Sequence, residues 1–346
     1  MFTQISNDRV DIHNSLNQEE VKSLAADNSL KVVQFSNEVD PATFRLLNDL
    51  LFSVRNDICL RAYGFYSSTC DLSFISSLTN LKRFSADCLM DAKGMHNLVH
   101  LRNLKELGIG IYKLENFDFL NGVPDTLERL FLGATKSKKP DLVPLSRFTM
   151  LRKIYIEGQH KNIDVLRGLT NLEDVTLRSI TTPDLNYLVP LKKMWSLDIK
   201  LGGINNFSAI EGLTNIKYLE LWQIRGLSDV GFISTLNGLQ NLFLQSLPNI
   251  EKLPSFDNLK NLRKISLENM KGLKDVSNLE SAPALEEFIH LSANNMQPED
   301  YIDVLKKTSL KRISCVFGSD RKNNRFDEIK KEFNKVSSEW SKFIYK

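Results

Sequence analysis

Two histidines four residues apart, His96 and His100 in the string MHNLVH, have the spacing most suggestive of metal chemistry. Side chains four apart on one helical face can hold an ion between them. No Glu joins them in an HExxH motif, and the sequence offers no obvious third ligand. We therefore expect a solvated connector, with no metal and no cofactor. His290 occupies an apolar position of a repeat, which predicts a core histidine with a hydrogen-bond partner.

The four cysteines form no C-x-x-C pair and no zinc-binding pattern. They are Cys59, Cys70, Cys88 and Cys315. No His stands near Cys59 or Cys70 in the sequence, so we interpret both as unactivated thiols. Unpaired cysteines favour a reducing compartment. The first residues show no basic and apolar leader, and no apolar run is long enough to span a bilayer. We expect a cytoplasmic location without membrane contact.

Nucleotide-binding and hydrolase motifs are also missing, since neither G-x-x-x-x-G-K-[ST] nor G-x-S-x-G occurs. We therefore expect no enzymatic activity. A net charge of +3 over 346 residues is too small to indicate a nucleic acid partner. Lys136, Lys138 and Lys139 form a short basic run, which we interpret as a solvated loop. The alternative is a phosphate or acidic-lipid contact.

The chemistry that remains is that of a binding surface. Aromatic and acidic side chains recur at equivalent places in the middle of the chain, a mixture typical of interaction hot spots. The candidate partner-binding residues are Tyr155, Asp174, Asp198, Tyr218, Glu220, Trp222 and Phe243. The alternative is structural: neighbouring aromatics stack across strands, while Lys200 and Arg178 neutralise the acids locally. Trp195 stands at a strand entrance, where its direction is open.

A repeat must position these residues. The string GLTNLEDVTL begins at Gly168 and GLTNIKYLEL begins at Gly212, two steps of 22 residues apart. The underlying frame, L-x-x-L-x-L, recurs with a period of 21 to 24 residues, and two degenerate copies precede it around Val33 and Ile58. Alternation of period two predicts a short strand with its apolar side chains on one face. A unit of 22 residues buries too little apolar surface to fold alone, so about 13 strands should stack as a parallel sheet.

This pattern resembles leucine-rich repeat proteins over about residues 28–317, with short repeats similar to those of internalins and phosphatase-regulatory leucine-rich repeat proteins. The resemblance implies an α/β solenoid with its sheet on a concave side and short helical turns on a convex side. It also implies an Asn ladder three residues after each L-x-L. Here that slot is apolar, and we expect packing instead of a ladder. The residues concerned are Ile180, Ile224, Leu247 and Met270.

Helical segments are predicted at both ends of the array. Asn17 with Glu20 and Asp40 with Pro41 are helix starts, and Pro298 opens a helix near the far end. A final helix is predicted from an apolar stripe comprising Phe326, Ile329, Phe333, Val336, Trp340 and Phe343. We expect an N-terminal helical cap over 1–27, a solenoid over 28–317 and a capping helix over 318–346. The alternative for the last helix is a partner-binding helix or a dimer seam.

These features favour a monomeric, non-enzymatic scaffold that binds a protein partner on the concave face. Two alternatives stay open. The first is a regulatory inhibitor or immunity-type protein that occludes an enzyme. The second is an enzyme or metal-binding protein with an unrecognised site, for which His96 and His100 would be the first candidates.

Overall fold

Each L-x-x-L-x-L frame forms a short strand whose apolar side chains lie in the core. The computed structural model describes residues 1–339 and 341–346. It contains two compact units, Met1–Leu172 and Glu173–Lys346. Strands occupy all thirteen predicted repeat positions of the described chain, including the degenerate copies around Val33 and Ile58. The resemblance to leucine-rich repeat proteins is confirmed at the level of the fold.

The first unit contains a mostly parallel sheet and a small parallel strand pair. Its strands are β1 (Phe2–Ser6), β2 (Arg9–Ile12), β3 (Val32–Phe35), β4 (Cys59–Tyr63), β5 (Thr69–Asp71), β6 (Arg83–Leu89), β7 (Asp91–Lys93), β8 (Glu106–Ile111), β9 (Arg129–Leu132) and β10 (Lys153–Glu157). The sheet order is β1-β2-β3-β4-β6-β8-β9-β10, and β5 pairs with β7. Strand β1 is antiparallel to β2, and the others pair in parallel.

Helices of the first unit return the chain from one strand to the next. They are α1 (Gln18–Ala26), α2 (Pro41–Leu46), the π-helix Leu47–Phe52, and the 3₁₀ helices Ser73–Ser77, Met95–His100, Asp118–Gly122, Val143–Arg147 and Ile163–Gly168. The predicted start of α1 is confirmed by a capping box, in which the Glu20 amide donates to Asn17 at 2.9 Å and the Asn17 amide donates to Glu20 at 2.8 Å. Asp40 accepts from the Ala42 amide at 2.9 Å and begins α2 as predicted.

The second unit is a parallel sheet in chain order. Its strands are β11 (Asp174–Arg178), β12 (Ser196–Lys200), β13 (Tyr218–Trp222), β14 (Asn241–Gln245), β15 (Lys264–Glu268), β16 (Glu287–Leu291) and β17 (Arg312–Cys315). Its helices are the 3₁₀ helices Asn186–Leu188, Ser208–Ile210, Gly231–Thr235, Ser277–Leu279 and Pro298–Tyr301, then α3 (Ile302–Leu305) and α4 (Asp320–Glu332). Strands β11 to β16 are in register, so equivalent repeat positions are direct neighbours.

The slot of the missing Asn ladder is filled by apolar packing, as predicted. Ile180, Ile224, Leu247 and Met270 are all at most 2% exposed. A buried aliphatic side chain of this size stabilises the fold by about 2 kcal/mol. Each repeat thus replaces a polar network with hydrophobic contact to its neighbours.

A regular turn that the sequence did not predict follows each strand from β11 to β16. The residue after the strand has a left-handed backbone, with φ between 50° and 56°. These residues are Ser179, Leu201, Gln223, Ser246, Asn269 and Ser292. The amide of Gln223, for example, donates to the Gln245 carbonyl of the next strand at 2.9 Å. The turn therefore carries the ladder of hydrogen bonds one residue beyond the strand, although a non-glycine residue there costs about 1 kcal/mol.

Both ends of the chain differ from the prediction. Residues 1–27 contain α1 but also the strands β1 and β2, which the sequence did not indicate. At the other end, α4 ends at Glu332, so the helix predicted through Phe343 is wrong beyond that point. Asn334 takes a left-handed conformation (φ 54°), a common helix stop, and Val336 then pairs in parallel with Arg312 of β17.

Within α4, the predicted stripe is used only in part. Phe326 and Ile329 are buried, and the Phe326 ring lies 5.7 Å from that of Tyr301 and 5.6 Å from that of Phe317. Trp340 lies outside the described residues. The bounds of the three predicted domains and the capping role of the ends stay predictions.

Candidate functional site

The sheet face opposite the core, which we call the open face, carries six of the seven predicted partner-binding residues in the second unit. Register across β11 to β14 arranges their side chains in three rows. The entrance row is Asp174, Ser196, Tyr218 and Asn241. The middle row is Thr176, Asp198, Glu220 and Phe243. The exit row is Arg178, Lys200, Trp222 and Gln245. Tyr218 and Trp222 alternate with fully buried leucines and so lie outside the core.

Two carboxylates share one ammonium group at the centre of this face. Asp198 and Glu220 are direct neighbours on adjacent strands. Lys200 Nζ lies 3.4 Å from Asp198 Oδ2 and 3.0 Å from Glu220 Oε1. Thr176 donates a weak hydrogen bond to Asp198 at 3.4 Å, while the second oxygen of Asp198, Oδ1, is buried without a hydrogen-bond partner. The pair of acids is therefore only partly compensated.

The titration of Asp198 follows from this arrangement. Burial, followed by the charge of Glu220, raises the pKa of Asp198 to about 6, against the opposing effect of Lys200. Burial and the same carboxylate also raise the pKa of Tyr218, whose hydroxyl donates to Glu220 Oε2 at 2.7 Å. Tyr218 thus remains a hydrogen-bond donor, whereas Asp198 changes its charge close to neutral pH.

Aromatic rings flank the acids. Trp222 is half-buried at the exit end, with the guanidinium carbon of Arg178 5.5 Å from its ring centre. Phe243 is half-buried beside Glu220 in the middle row. The sequence analysis left open that nearby cations neutralise the acids, and Lys200 does so for Asp198 and Glu220. It leaves the ring surfaces of Trp222 and Phe243 accessible in part.

Tyr155, the seventh predicted residue, belongs to β10 of the first unit. Its hydroxyl donates to Glu157 at 2.8 Å, and its ring lies 6.4 Å from that of Phe131. Nearby, Gly108, Gly110 and Gly133 leave a hollow of about 430 Å³ on the open face of that unit, with Phe131 and Tyr155 on its wall. Glycine lets a neighbouring group approach the backbone closely, so this hollow is a secondary candidate surface.

The chain beyond α4 reaches the open face of the second unit instead of continuing as a helix. The Tyr345 ring lies 4.9 Å from that of Trp195 and 6.4 Å from that of Tyr218. The Phe343 ring lies 4.6 Å from the guanidinium carbon of Arg263. We call residues 343–346 the strap. Within the entrance row it contacts Tyr218, which is one of the predicted binding residues, and Asn241.

Polar contacts to the strap come from residues that the sequence analysis did not single out. Gln240 accepts from the Lys346 amide at 2.9 Å and donates to the Lys346 carbonyl at 2.8 Å. Lys217 donates to the same carbonyl at 2.8 Å, and Arg263 donates to the Ile344 carbonyl. The alternation Phe343-Ile344-Tyr345 could have indicated an extended segment, but the helical spacing of the preceding stripe favoured the wrong structure.

The other candidates carry no assembled chemistry. His96 and His100 lie on the 3₁₀ helix Met95–His100, and no group of three potential ligands is found among the described residues. His290 is fully buried, and its Nδ1 lies 2.8 Å from the Tyr301 hydroxyl, which confirms the predicted core histidine. Burial lowers the pKa of His290 to about 4 and raises that of the Cys59 thiol to about 12.

No helix within residues 1–339 or 341–346 is both long and apolar enough to cross a membrane. No protein-family model matches the chain, and no curated protein matches it.

Solved structures with a similar fold include two from Listeria monocytogenes str. 4b F2365. The internalin inlF is 17% identical with a TM-score of 0.46, over 86% of this chain and 82% of that one. Internalin C2 is 20% identical with a TM-score of 0.38, over 61% and 79%. The TLR13 chain in a TLR13-ssRNA13 complex is 15% identical with a TM-score of 0.47, over 89% and 54%. The fold assignment stands on the strand register of this chain itself.

Proposed function

We propose that this leucine-rich repeat chain is a non-enzymatic scaffold that binds a protein partner on the open face of its second unit. The binding centre comprises Asp198, Glu220, Trp222 and Phe243, with Tyr218 and Asp174 in the entrance row. The observation that carries the proposal is the under-compensated pair of acids between half-buried rings. A cationic side chain from a partner would complete that pair, and an apolar one would cover the rings.

The proposal predicts the chemistry of the partner. Asp198 has a pKa of about 6, so a partner that inserts Lys or Arg near it favours the ionised form and releases a proton on binding. Affinity should therefore rise from pH 5 to pH 7.5. Glu220 and Lys200 remain in place as an oriented ion pair, which sets the direction of approach.

The test is affinity capture with the full chain, compared with Trp222→Ala and with Tyr112→Ala as a matched control. Tyr112 is an exposed aromatic residue of the first unit, 48% exposed. Partner recovery should fall at least tenfold with Trp222→Ala and stay unchanged with the control, while far-UV circular dichroism matches the parent for both. Equal recovery by both variants would refute a binding centre at Trp222.

A further inference from the structure

The strap, residues 343–346, contacts the open face in the way that an extended peptide contacts a receptor. Its side chains alternate, because Phe343 and Tyr345 are half-buried against the second unit while Ile344 points outward and is 76% exposed. Gln240 forms a donor and acceptor pair with the backbone of Lys346. Recognition of a backbone edge combined with pockets for alternate side chains is the usual mode for extended segments.

The receptor side of the Tyr345 and Lys346 contacts is formed by three successive repeats. Trp195 precedes β12, Lys217 and Tyr218 stand at the start of β13, and Gln240 precedes β14. Because the strands are in register, these equivalent positions form one slot along the strand entrances. Tyr345 lies across it, and the Asn241 amide donates to the Tyr345 hydroxyl at 3.4 Å. The slot is therefore shaped for an aromatic ring with a hydroxyl group.

The strap also lies beside the acid pair. The Tyr345 ring lies 6.4 Å from that of Tyr218, whose hydroxyl donates to Glu220 Oε2 at 2.7 Å, so the strap is one side chain away from the acid pair. A partner that reaches Asp198 from the entrance side would meet the strap first. Occupancy of the slot and access to the centre are thus linked.

We propose that the strap is an intramolecular ligand of a peptide-docking slot, and that a partner displaces it with an extended segment carrying two aromatic side chains two residues apart. This inference rests on the proposed function, since it names the chemistry of a partner for the same face. Val336 is paired with β17, and six residues, 337–342, separate it from the strap; a tether of this length corresponds to a local concentration on the order of 1 mM. A free peptide must compete with this local concentration, so the strap should weaken its binding at least tenfold.

The experiment uses the full chain and a fluorescein-labelled peptide with the sequence of residues 337–346, SSEWSKFIYK. Fluorescence anisotropy gives the affinity of the peptide for the parent, for Phe343→Ala/Tyr345→Ala, and for the control Ile344→Ala. The double variant should bind the peptide at least tenfold more tightly than the parent, because its own strap no longer fills the slot. The control should behave like the parent.

A further variant locates the peptide. Adding Trp195→Ala to the double variant should abolish the gain in affinity, provided that thermal unfolding shows the variant to be folded. Equal binding by the parent and the double variant, or no binding by the double variant, would overturn the inference. A parent dimer that dissociates in the double variant would assign the occupant to a second copy and overturn the intramolecular form.

The two proposals fail separately. Partner capture that depends on Trp222 while the peptide binds no variant removes the docking slot and leaves the binding centre. If peptide binding depends on Trp195 while partner capture is unchanged by Trp222→Ala, the docking slot stands and the binding centre at Trp222 is refuted.

Discussion

Burial of His290 makes the stability of the second unit depend on pH in a way that can be calculated. Its folded pKa is about 4, whereas the ordinary value is 6.5, so the folded protein keeps it neutral at a pH where the unfolded chain binds a proton. The unfolded state therefore gains protons first as the pH falls below 6.5, and stability is lost between pH 6.5 and 4. The loss is about 2 kcal/mol by pH 5 and about 3 kcal/mol in full.

The perturbation is His290→Leu, which places the usual repeat residue in the slot. At pH 7 it leaves the buried Tyr301 hydroxyl without its partner and should cost about 1–3 kcal/mol. His290→Leu/Tyr301→Phe removes both polar groups and should recover most of that loss. Both variants should lose about 2 kcal/mol less stability than the parent between pH 7 and pH 5.

The assay is urea unfolding followed by tryptophan fluorescence, because Trp195 and Trp222 lie in the second unit. Asp198 titrates in the same range but is shared by parent and variants, so its contribution cancels in the difference. Parallel stability curves for parent and His290→Leu between pH 7 and pH 5 would refute the argument that burial holds His290 neutral.

Three further predictions concern strand β13 and its neighbour Asp198. Leu221→Ala should lower the free energy of unfolding by about 2–5 kcal/mol because it leaves a cavity, whereas Trp222→Ala should cost less than about 1 kcal/mol; urea titration of the two variants checks this contrast. Gln223→Val should lower the free energy of unfolding by about 1 kcal/mol or more because its backbone is left-handed, while Gln223→Gly should be nearly neutral. Thermal melts check this, and equal loss of stability in the two variants would contradict the left-handed backbone at Gln223. In the parent, the raised pKa of Asp198 should lower the free energy of unfolding by about 1 kcal/mol between pH 5 and pH 7.5, and Asp198→Asn should remove this loss. If the variant and the parent have the same pH profile of stability, the pKa of Asp198 is not raised.

The repeat made the architecture predictable because the L-x-x-L-x-L frame recurs in each unit of the array. Period-two alternation selected the buried residues of each strand. The apolar slot at Ile224 and Met270 predicted packing at the position where the leucine-rich repeat proteins that the sequence resembles have Asn. The residues of the open face followed from the same alternation, which predicted that Trp222 and Leu221 lie on opposite faces of the sheet. These inferences needed only local pattern and the requirement that repeats share a core.

What failed depended on long-range contacts. The stripe through Phe333 and Val336 has helical spacing, yet Val336 pairs with the edge of β17 and the helix ends at Glu332. Tyr345 meets Trp195 about 150 residues away in sequence, a contact that no local period encodes. The left-handed turn at Gln223 escaped notice since neither Gly nor a consistent Asn marks it.

Each unit has an outermost strand, β1 in the first and β17 in the second, that determines whether its sheet can grow. At one margin β1 runs antiparallel, is mostly exposed and shifts register between Gln4 and Ser6, so it offers a poor template for another parallel repeat. At the other margin Val336 occupies the hydrogen-bonding groups of β17, with the Ile313 amide donating to its carbonyl at 2.9 Å. Proteolytic loss of either segment would uncover one strand edge, and the shortened protein should then associate through that edge.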